Sequence, residues 1–323
     1  MESATATFFD LVRTDMPAVE ARMRSRPGNY HPNLDEAVEH LIASGGKRIR
    51  PTVVLLVGGV LGAPHNHLIT LAAAIEMLHT ATLVHDDLID HASLRRGIPT
   101  LNSQWTPGAT VLTGDYIFAR AAHLAAKTES LRIMERFAET LMVIVNGELT
   151  QLFRSKPDDN RADYFERIYS KTASLFELAA EGGALLAGST TSECEAMRQV
   201  GYTVGVAFQI VDDVLDFTAD TAHVGKPVAS DLRQGLVTLP ALYYLEEHPE
   251  DPTLRQLLSN EKVTAEQIDD LAERIRASGA IEQALGEADA FIVEAEAILS
   301  ELPPTPEREG LIELGRYVVQ RSM

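Results

Sequence analysis

The chain is poor in cysteine: Cys194 is the single one among 323 residues. No internal disulfide can form and no cysteine-based zinc site can be assembled, a usage that suits a reducing cytoplasm. Positive charge is also scarce. Lys and Arg total 28 against 47 Asp and Glu, a formal net charge of −19. A general nucleic-acid partner is therefore excluded by repulsion from the phosphate backbone. A small polyphosphate is still admissible where basic residues cluster or bound cations reverse the local field. Long apolar runs are missing too. The longest, Pro51 to Pro64, falls short of the about 20 residues needed to span a bilayer and reads as a buried core helix. Met1 to Met16 is short of basic residues and carries Asp10 and Asp15, so no signal peptide is expected. The expectation is a soluble, cytoplasmic protein without a transmembrane segment, whose membrane contact is at most peripheral.

Alternating strand patterns are lacking, and Asn146-Gly147 lies inside a helical stretch rather than between strands. What is present is helical periodicity. Val53–Leu61, Leu68–Leu83, Val111–Ala126, Leu131–Phe153, Tyr164–Leu186, Glu193–Asp216 and Ala265–Leu302 are rich in Ala, Leu and Glu, with apolar residues recurring at three and four. Breakers separate them: Ser44-Gly45-Gly46, Pro107-Gly108, the polar stretch Ser155–Asp163, Gly188–Ser192, the longer loop Thr218–Gly235, and Pro303–Pro306. No connector has the length or bias of a domain linker. The pattern predicts one all-α domain over residues 1–323.

Two carboxylate clusters stand out. His85-Asp86-Asp87-Leu88-Ile89-Asp90 continues an apolar helix, so Asp86 and Asp90 lie one turn apart on one face and Asp87 neighbours Asp90 at three. Phe208-Gln209-Ile210-Val211-Asp212-Asp213-Val214-Leu215-Asp216 repeats the same spacing on another apolar helix. One such cluster is the ordinary look of a solvated helix end. Two with the same spacing, flanked by apolar residues that point them inward, call for compensating cations. Hard oxygen ligands suit Mg²⁺, which keeps waters and takes further oxygens from a diphosphate. Facing each other, the clusters would hold metal ions around one diphosphate, neutralising it as a leaving group so that a carbon–oxygen bond can ionise.

The basic residues gather near these clusters. Gly45-Gly46-Lys47-Arg48-Ile49-Arg50-Pro51 is a glycine-flanked basic turn before a helix, Arg95-Arg96-Gly97 follows the first cluster, and Gly225-Lys226 follows the second. Lys171-Thr172 adds a separate cation. Helix starts of this kind also present backbone N–H groups to anions.

These stretches resemble the trans-isoprenyl diphosphate synthase (polyprenyl synthetase) family, from Leu34 to the C-terminus. Gly45–Pro51 is similar to its GGKRxRP stretch, Asp86–Asp90 with Arg95-Arg96-Gly97 to its first aspartate-rich motif, and Phe208–Asp216 with Gly225-Lys226 to its second. Leu314-Gly315-Arg316-Tyr317-Val318-Val319 is similar to its closing helix. The resemblance implies a single-domain helical bundle around a deep central hydrophobic cavity, of the isoprenoid synthase type. It further implies an Mg²⁺-dependent prenyltransferase that condenses isopentenyl diphosphate with an allylic diphosphate by ionisation, condensation and elimination. Lys47, Arg50, His79 and Arg96 then hold the isopentenyl diphosphate. Arg95, Lys171, Thr172, Gln209 and Lys226 surround the allylic diphosphate. Asp86, Asp90 and Asp212 are the most direct Mg²⁺ ligands, with Asp87, Asp213 and Asp216 ligating or directly behind them. Phe208 and the apolar lining shield the cation. A homodimer is implied, with the Val111–Ala126 helix as a contact. One departure is Leu236, where many relatives carry lysine; Arg233 stands nearby as a substitute cation.

In that family the residues beneath the first cluster set product length. Five and four positions before Asp86 lie Ala81 and Thr82, and a bulky aromatic at the Ala81 position would stop the chain early. A methyl group lets it pass, each helical turn of about 5.4 Å matching roughly one isoprene unit, with Met77 on the same face as a partial stop. The string His79–Leu83 resembles the medium- and long-chain branch, so about six or more isoprene units are expected, with a geranylgeranyl or geranylfarnesyl product as the alternative. A terpene cyclase would replace the second aspartate motif by an Asn/Asp, Ser/Thr, Glu pattern. A non-catalytic subunit of a heteromeric synthase would lose residues from one motif, and both are intact.

Overall fold

The computed structural model describes residues 7–25, 28, 31–95, 97–153, 160–218 and 228–321. In chain order the helices are α1 (Thr7–Val12), α2 (Met16–Arg24), α3 (Pro32–Ala43), α4 (Ile49–Leu61), α5 (His65–Ile89), α6 (Leu101–Gln104), α7 (Pro107–Ala126), α8 (Leu131–Phe153) and α9 (Arg161–Ile168). A π-helical turn over Tyr169–Ala173 leads into α10 (Ser174–Leu186). There follow α11 (Thr191–Thr218), α12 (Ser230–Arg233), α13 (Leu239–Glu247), α14 (Pro252–Leu258), α15 (Ala265–Ala277), α16 (Ala280–Ser300) and α17 (Pro306–Gln320). Among the described residues the only extended pairing is a two-residue antiparallel hairpin, β1 (Leu94–Arg95) with β2 (Ile98–Pro99). The all-α expectation holds. The long helix expected over Ala265–Leu302 is two helices, because Gly279 adopts φ +81° and ends the first of them. Pro32 and Pro252 begin two further helices that were not among those expected.

The chain forms two compact units: Met1–Thr140, Leu175–Gly201 and Glu301–Glu313; and Leu141–Ser174, Tyr202–Ser300 and Leu314–Met323. In the first, α5 is apolar nearly all round and packs against α2, α4 and α7. Leu71, Ala72, Ala73, Ala74, Ile75, Leu78 and Ala81 have no exposed surface. Each fully buried Leu or Ile contributes about 1.5–3 kcal/mol of hydrophobic stabilisation, and the alanines let neighbouring backbones approach. By length and composition α5 would pass for a membrane span, but 72 % of that stretch is buried inside the protein, as befits a core helix. Gly114 on α7 gives room for His85: a Cβ there would lie 2.1 Å from the imidazole.

In the second unit α16 packs on α13 and α15 through Ala284, Ala288, Ile292 and Ala295, a stripe at helical spacing. A capping box between Thr264 and Gln267 starts α15. Tyr164 is fully buried among this unit's aromatic rings, 5.3 Å from Phe165 between ring centres.

Candidate functional site

In the first unit α5 carries its carboxylates to its very end. The helix stops at Asp90, whose N–H still donates to Asp86 O at 2.8 Å, while Ala92 N–H closes on Asp87 O at 2.9 Å. Asp86 is half-buried, Asp87 buried and Asp90 exposed. The chain then turns into the hairpin, and this return brings Arg95 Nε to donate to Asp87 Oδ1 at 2.8 Å. A cation implied for the allylic diphosphate is thus seated on the first cluster. Arg96 lies outside the described residues.

The basic turn belongs to the same unit. Gly45, Gly46 and Arg48 all have positive φ, at 74°, 159° and 48°. Lys47 is exposed and Arg50 half-buried, its guanidinium 4.6 Å from the ring centre of Phe176. His79 is half-buried on α5. Ala81 and Met77 are buried to 0 % and 2 % exposure, and the Thr82 hydroxyl donates to His79 O at 2.8 Å. The three residues implied in product length therefore line up on the interior helix that bears the first cluster.

In the second unit the carboxylates sit near the end of α11. Asp212 is exposed, Asp213 buried and Asp216 half-buried. Asp213 accepts from the Tyr164 hydroxyl at 2.8 Å and from Gln209 Nε2 at 2.8 Å. Gln209 Oε1 in turn accepts from the Thr172 hydroxyl at 2.7 Å. A chain of donors and acceptors so runs from Tyr164 through Asp213 and Gln209 to Thr172, and it fixes which way the Gln209 amide points. Burial pushes the Asp213 carboxyl up to about 7, with Asp231 adding to the rise and the Gln209 hydrogen bond opposing it. Burial and the neighbouring Asp213 likewise drive the Tyr164 hydroxyl well above its ordinary value. Asp213 is thereby turned inward, behind Asp212.

Residues 219–227, Lys226 among them, lie outside the described residues; Asp216 is held from the residues that follow. The Ser230 hydroxyl and the Asp231 N–H donate to its two oxygens at 2.5 and 3.0 Å. Thr172 and Lys171 stand in the π-helical turn, where the widened backbone turn is a frequent mark of functional sites. Lys171 Nζ lies 3.1 Å from Glu148 Oε1 on α8. Arg233 pairs with Asp269 and donates to Val228 O, so it is committed away from the position of Leu236.

Glu148, Tyr164 and Arg321 were not singled out from the sequence. Arg321 closes α17 onto the second cluster: Nη2 lies 3.0 Å from Asp212 Oδ1 and donates to Phe208 O at 2.6 Å, with the guanidinium 3.8 Å from the Phe208 ring centre. Burial draws this guanidinium down from its ordinary value, and Asp212 opposes the shift. Arg321 and Phe208 are 113 residues apart, so no local pattern pointed to this cation.

The donor set suits a hard divalent cation, since both clusters offer carboxylate oxygen and neither offers sulfur or imidazole. Among the described residues no three His, Cys, Asp or Glu side chains already converge on a finished cation site.

Residues 31–275 match the polyprenyl synthetase family. Octaprenyl diphosphate synthase of Escherichia coli (strain K12) is 36 % identical over 315 residues, covering 97 % of this chain and 98 % of the relative. Heptaprenyl diphosphate synthase component 2 of Bacillus subtilis (strain 168) is 34 % identical over 317 residues, covering 97 % and 90 %. The crystal structure of polyprenyl synthase from Caulobacter crescentus CB15, complexed with calcium and isoprenyl diphosphate, superposes with a TM-score of 0.91 at 36 % identity, covering 100 % of this chain and 99 % of that one. With two aspartate-rich helix ends, their basic companions and this extent of likeness, the chain belongs to the polyprenyl synthetase family.

Proposed function

We propose that this protein is a trans-polyprenyl diphosphate synthase that adds isopentenyl diphosphate repeatedly to an allylic diphosphate and makes a medium- or long-chain all-trans product. The observation that carries the reading is the repeated helix end, with outer aspartates toward solvent and the middle one held inside by a local partner. The relatives' names, heptaprenyl and octaprenyl, agree with a product of that class, and so does the methyl group of Ala81 inside α5. We read the whole chain as one synthase domain, since the likeness to the solved structure covers all of it.

The divalent cation is Mg²⁺, held chiefly by Asp86, Asp90 and Asp212. Bound there, it would supply the positive charge that offsets the diphosphate leaving group, with which the electron pair of the allylic carbon–oxygen bond departs. Arg95, Lys171, Thr172, Gln209 and Lys226 orient that diphosphate, and Lys47, Arg50, His79 and Arg96 orient isopentenyl diphosphate. The isopentenyl double bond attacks the allylic cation, a new carbon–carbon bond forms, and the proton lost in elimination passes to the departed diphosphate, leaving an allylic diphosphate one unit longer. Phe208, stacked under Arg321, keeps water from the cation.

The protein works in the cytoplasm as a homodimer. Val111 and Leu112 on α7 are exposed, and so, at helical spacing on α8, are Met142, Val145, Leu149, Leu152 and Phe153; an apolar stripe of this kind suits a second copy. Release of a poorly soluble product involves peripheral membrane contact, which added lipid or detergent would reveal as faster turnover.

The test is to incubate the purified protein with Mg²⁺, labelled isopentenyl diphosphate and farnesyl diphosphate, and to read dephosphorylated products by chromatography. A ladder ending at a defined long prenol is expected. Arrest after one or two additions would place the floor at Met77. No elongation with any allylic primer would favour the partner-subunit reading, which the likeness to a relative named as component 2 of its synthase also brings into view.

A further inference from the structure

Arg48 sits between Lys47 and Arg50 and does something else. It holds a left-handed backbone, φ 48° and ψ 37°, at the N-cap of α4, with no side-chain cap. That conformation costs a non-glycine residue roughly 1–2 kcal/mol and persists only where the surroundings over-determine it. Residues 45–48 have no regular secondary structure, so the turn's shape has to come from elsewhere. It comes from the guanidinium. Nη1 donates to Glu76 Oε1 at 2.8 Å, Nη2 donates to Ile42 O at 2.9 Å, and Nη2 and Nε reach Glu20 Oε1 at 3.3 and 3.4 Å. The Arg48 and Glu76 side chains are 9 % and 6 % exposed. One side chain therefore ties together α2, the end of α3, the basic turn and α5.

The place of Glu76 gives the tie its meaning. It lies on α5 beside Met77, on the helix that goes on through Ala81 to Asp86 and Asp90. We infer that Arg48 is a positioning residue: its clasp on Glu76 and Glu20 sets where Lys47 and Arg50 stand relative to α5, and thereby the affinity for isopentenyl diphosphate. The inference rests on the reading of Lys47 and Arg50 as that substrate's diphosphate ligands. A buried ion pair is poor evidence of stability, since a well-packed apolar pair often replaces it without loss. A planar fork bonded to three elements at once is instead suited to fixing geometry.

Four variants test this: Arg48→Lys, Arg48→Gly, the double variant Arg48→Met with Glu76→Met, and Lys47→Ala. Arg48→Gly keeps the turn's backbone preference without the clasp, and the double variant leaves no unpaired buried charge. Melting temperature and separate KM values for isopentenyl diphosphate and for the allylic primer are measured for each. The expected result is that whichever Arg48 variants fold raise KM for isopentenyl diphosphate about tenfold or more, while KM for the allylic primer stays within about twofold. In the double variant this occurs with little change of melting temperature. A folded double variant with both KM values unchanged would overturn the inference and leave the clasp merely structural. So would a parallel loss in both KM values that tracks melting temperature. If Lys47→Ala leaves KM for isopentenyl diphosphate unchanged, the ligand reading itself fails and the inference falls with it.

Discussion

At the end of α5 the middle carboxylate, Asp87, lies against a cation, Arg95; at the end of α11 its counterpart, Asp213, lies against neutral donors, Tyr164 and Gln209. The motif spacing is the same and the middle aspartate is buried in both, but the exposed member is the last at one end, Asp90, and the first at the other, Asp212. The electrostatics differ. Asp87 takes part in an ion pair that reaches back from the hairpin. Asp213 has its carboxyl drawn up to about 7 by burial, and its oxygens serve to aim Gln209. Arg167 is near enough to oppose that rise but donates to Val237 O at 2.7 Å. The third positions differ too: Asp90 caps its helix in solvent, whereas Asp216 is bound by Ser230 and Asp231. Equal spacing on two helices thus yields one middle carboxylate held by a cation and one held by neutral donors.

The comparison breaks most sharply at the outer aspartates. Asp86→Ala and Asp212→Ala are each expected to lower kcat about a thousandfold, read as incorporation of labelled isopentenyl diphosphate. If one of the two were nearly silent, the clusters would not share the metal chemistry. The next largest effect concerns what precedes each cluster by one turn: Ala81 and Thr82 before Asp86, Phe208 before Asp212. Ala81→Phe should shorten the product by several isoprene units while turnover persists, as a bulky ring blocks the interior of α5. An unchanged product ladder would sink the idea that this helix sets length.

A third contrast is in pH. The unfolded chain releases the Asp213 proton near the ordinary value of 3.8, whereas the fold keeps it to about 7. Between these values the folded state binds more protons, so stability falls as pH rises and levels off above about 7. The full effect is at most about 4 kcal/mol. In metal-free protein the melting temperature of Asp213→Asn should gain on that of the native chain between about pH 5 and about pH 8. A constant difference across that range would show that Asp213 is ionised throughout. The smallest effect is expected at Arg321, whose pair with Asp212 is half-exposed on the acidic side. Arg321→Gln should lower the Mg²⁺ concentration for half-maximal activity by roughly twofold to fivefold, the scale of a partly exposed ion pair. A rise instead would mean that Arg321 holds Asp212 ready rather than competing for it.

Much of this was legible in the residues themselves. The helices over 53–61, 68–83, 111–126 and 131–153 follow from apolar residues at three and four, because a period of 3.6 is a property of the local chain. The break at Gly279 was missed because the apolar period carries through it. The chemistry of the two clusters was readable for the same local reason: i, i+1, i+4 on a helix defines relative directions without reference to anything distant. The roles of Arg48, Tyr164, Glu148 and Arg321 were not, since each depends on a partner far along the chain.

The sequence alone therefore determined that the chain is helical, that it carries two oxygen-rich helix ends, and that its few cations gather near them. Periodicity, spacing and net charge are quantities a chain possesses before it folds. The tertiary structure decided which carboxylate of each trio turns inward, and what it meets there. It also decided that Arg48 clasps Glu76 and that Arg321 settles on Phe208. The last two pairings span 28 and 113 residues, and burial brings them together: a charge or hydroxyl removed from water has to find its partner wherever the packed helices have put one.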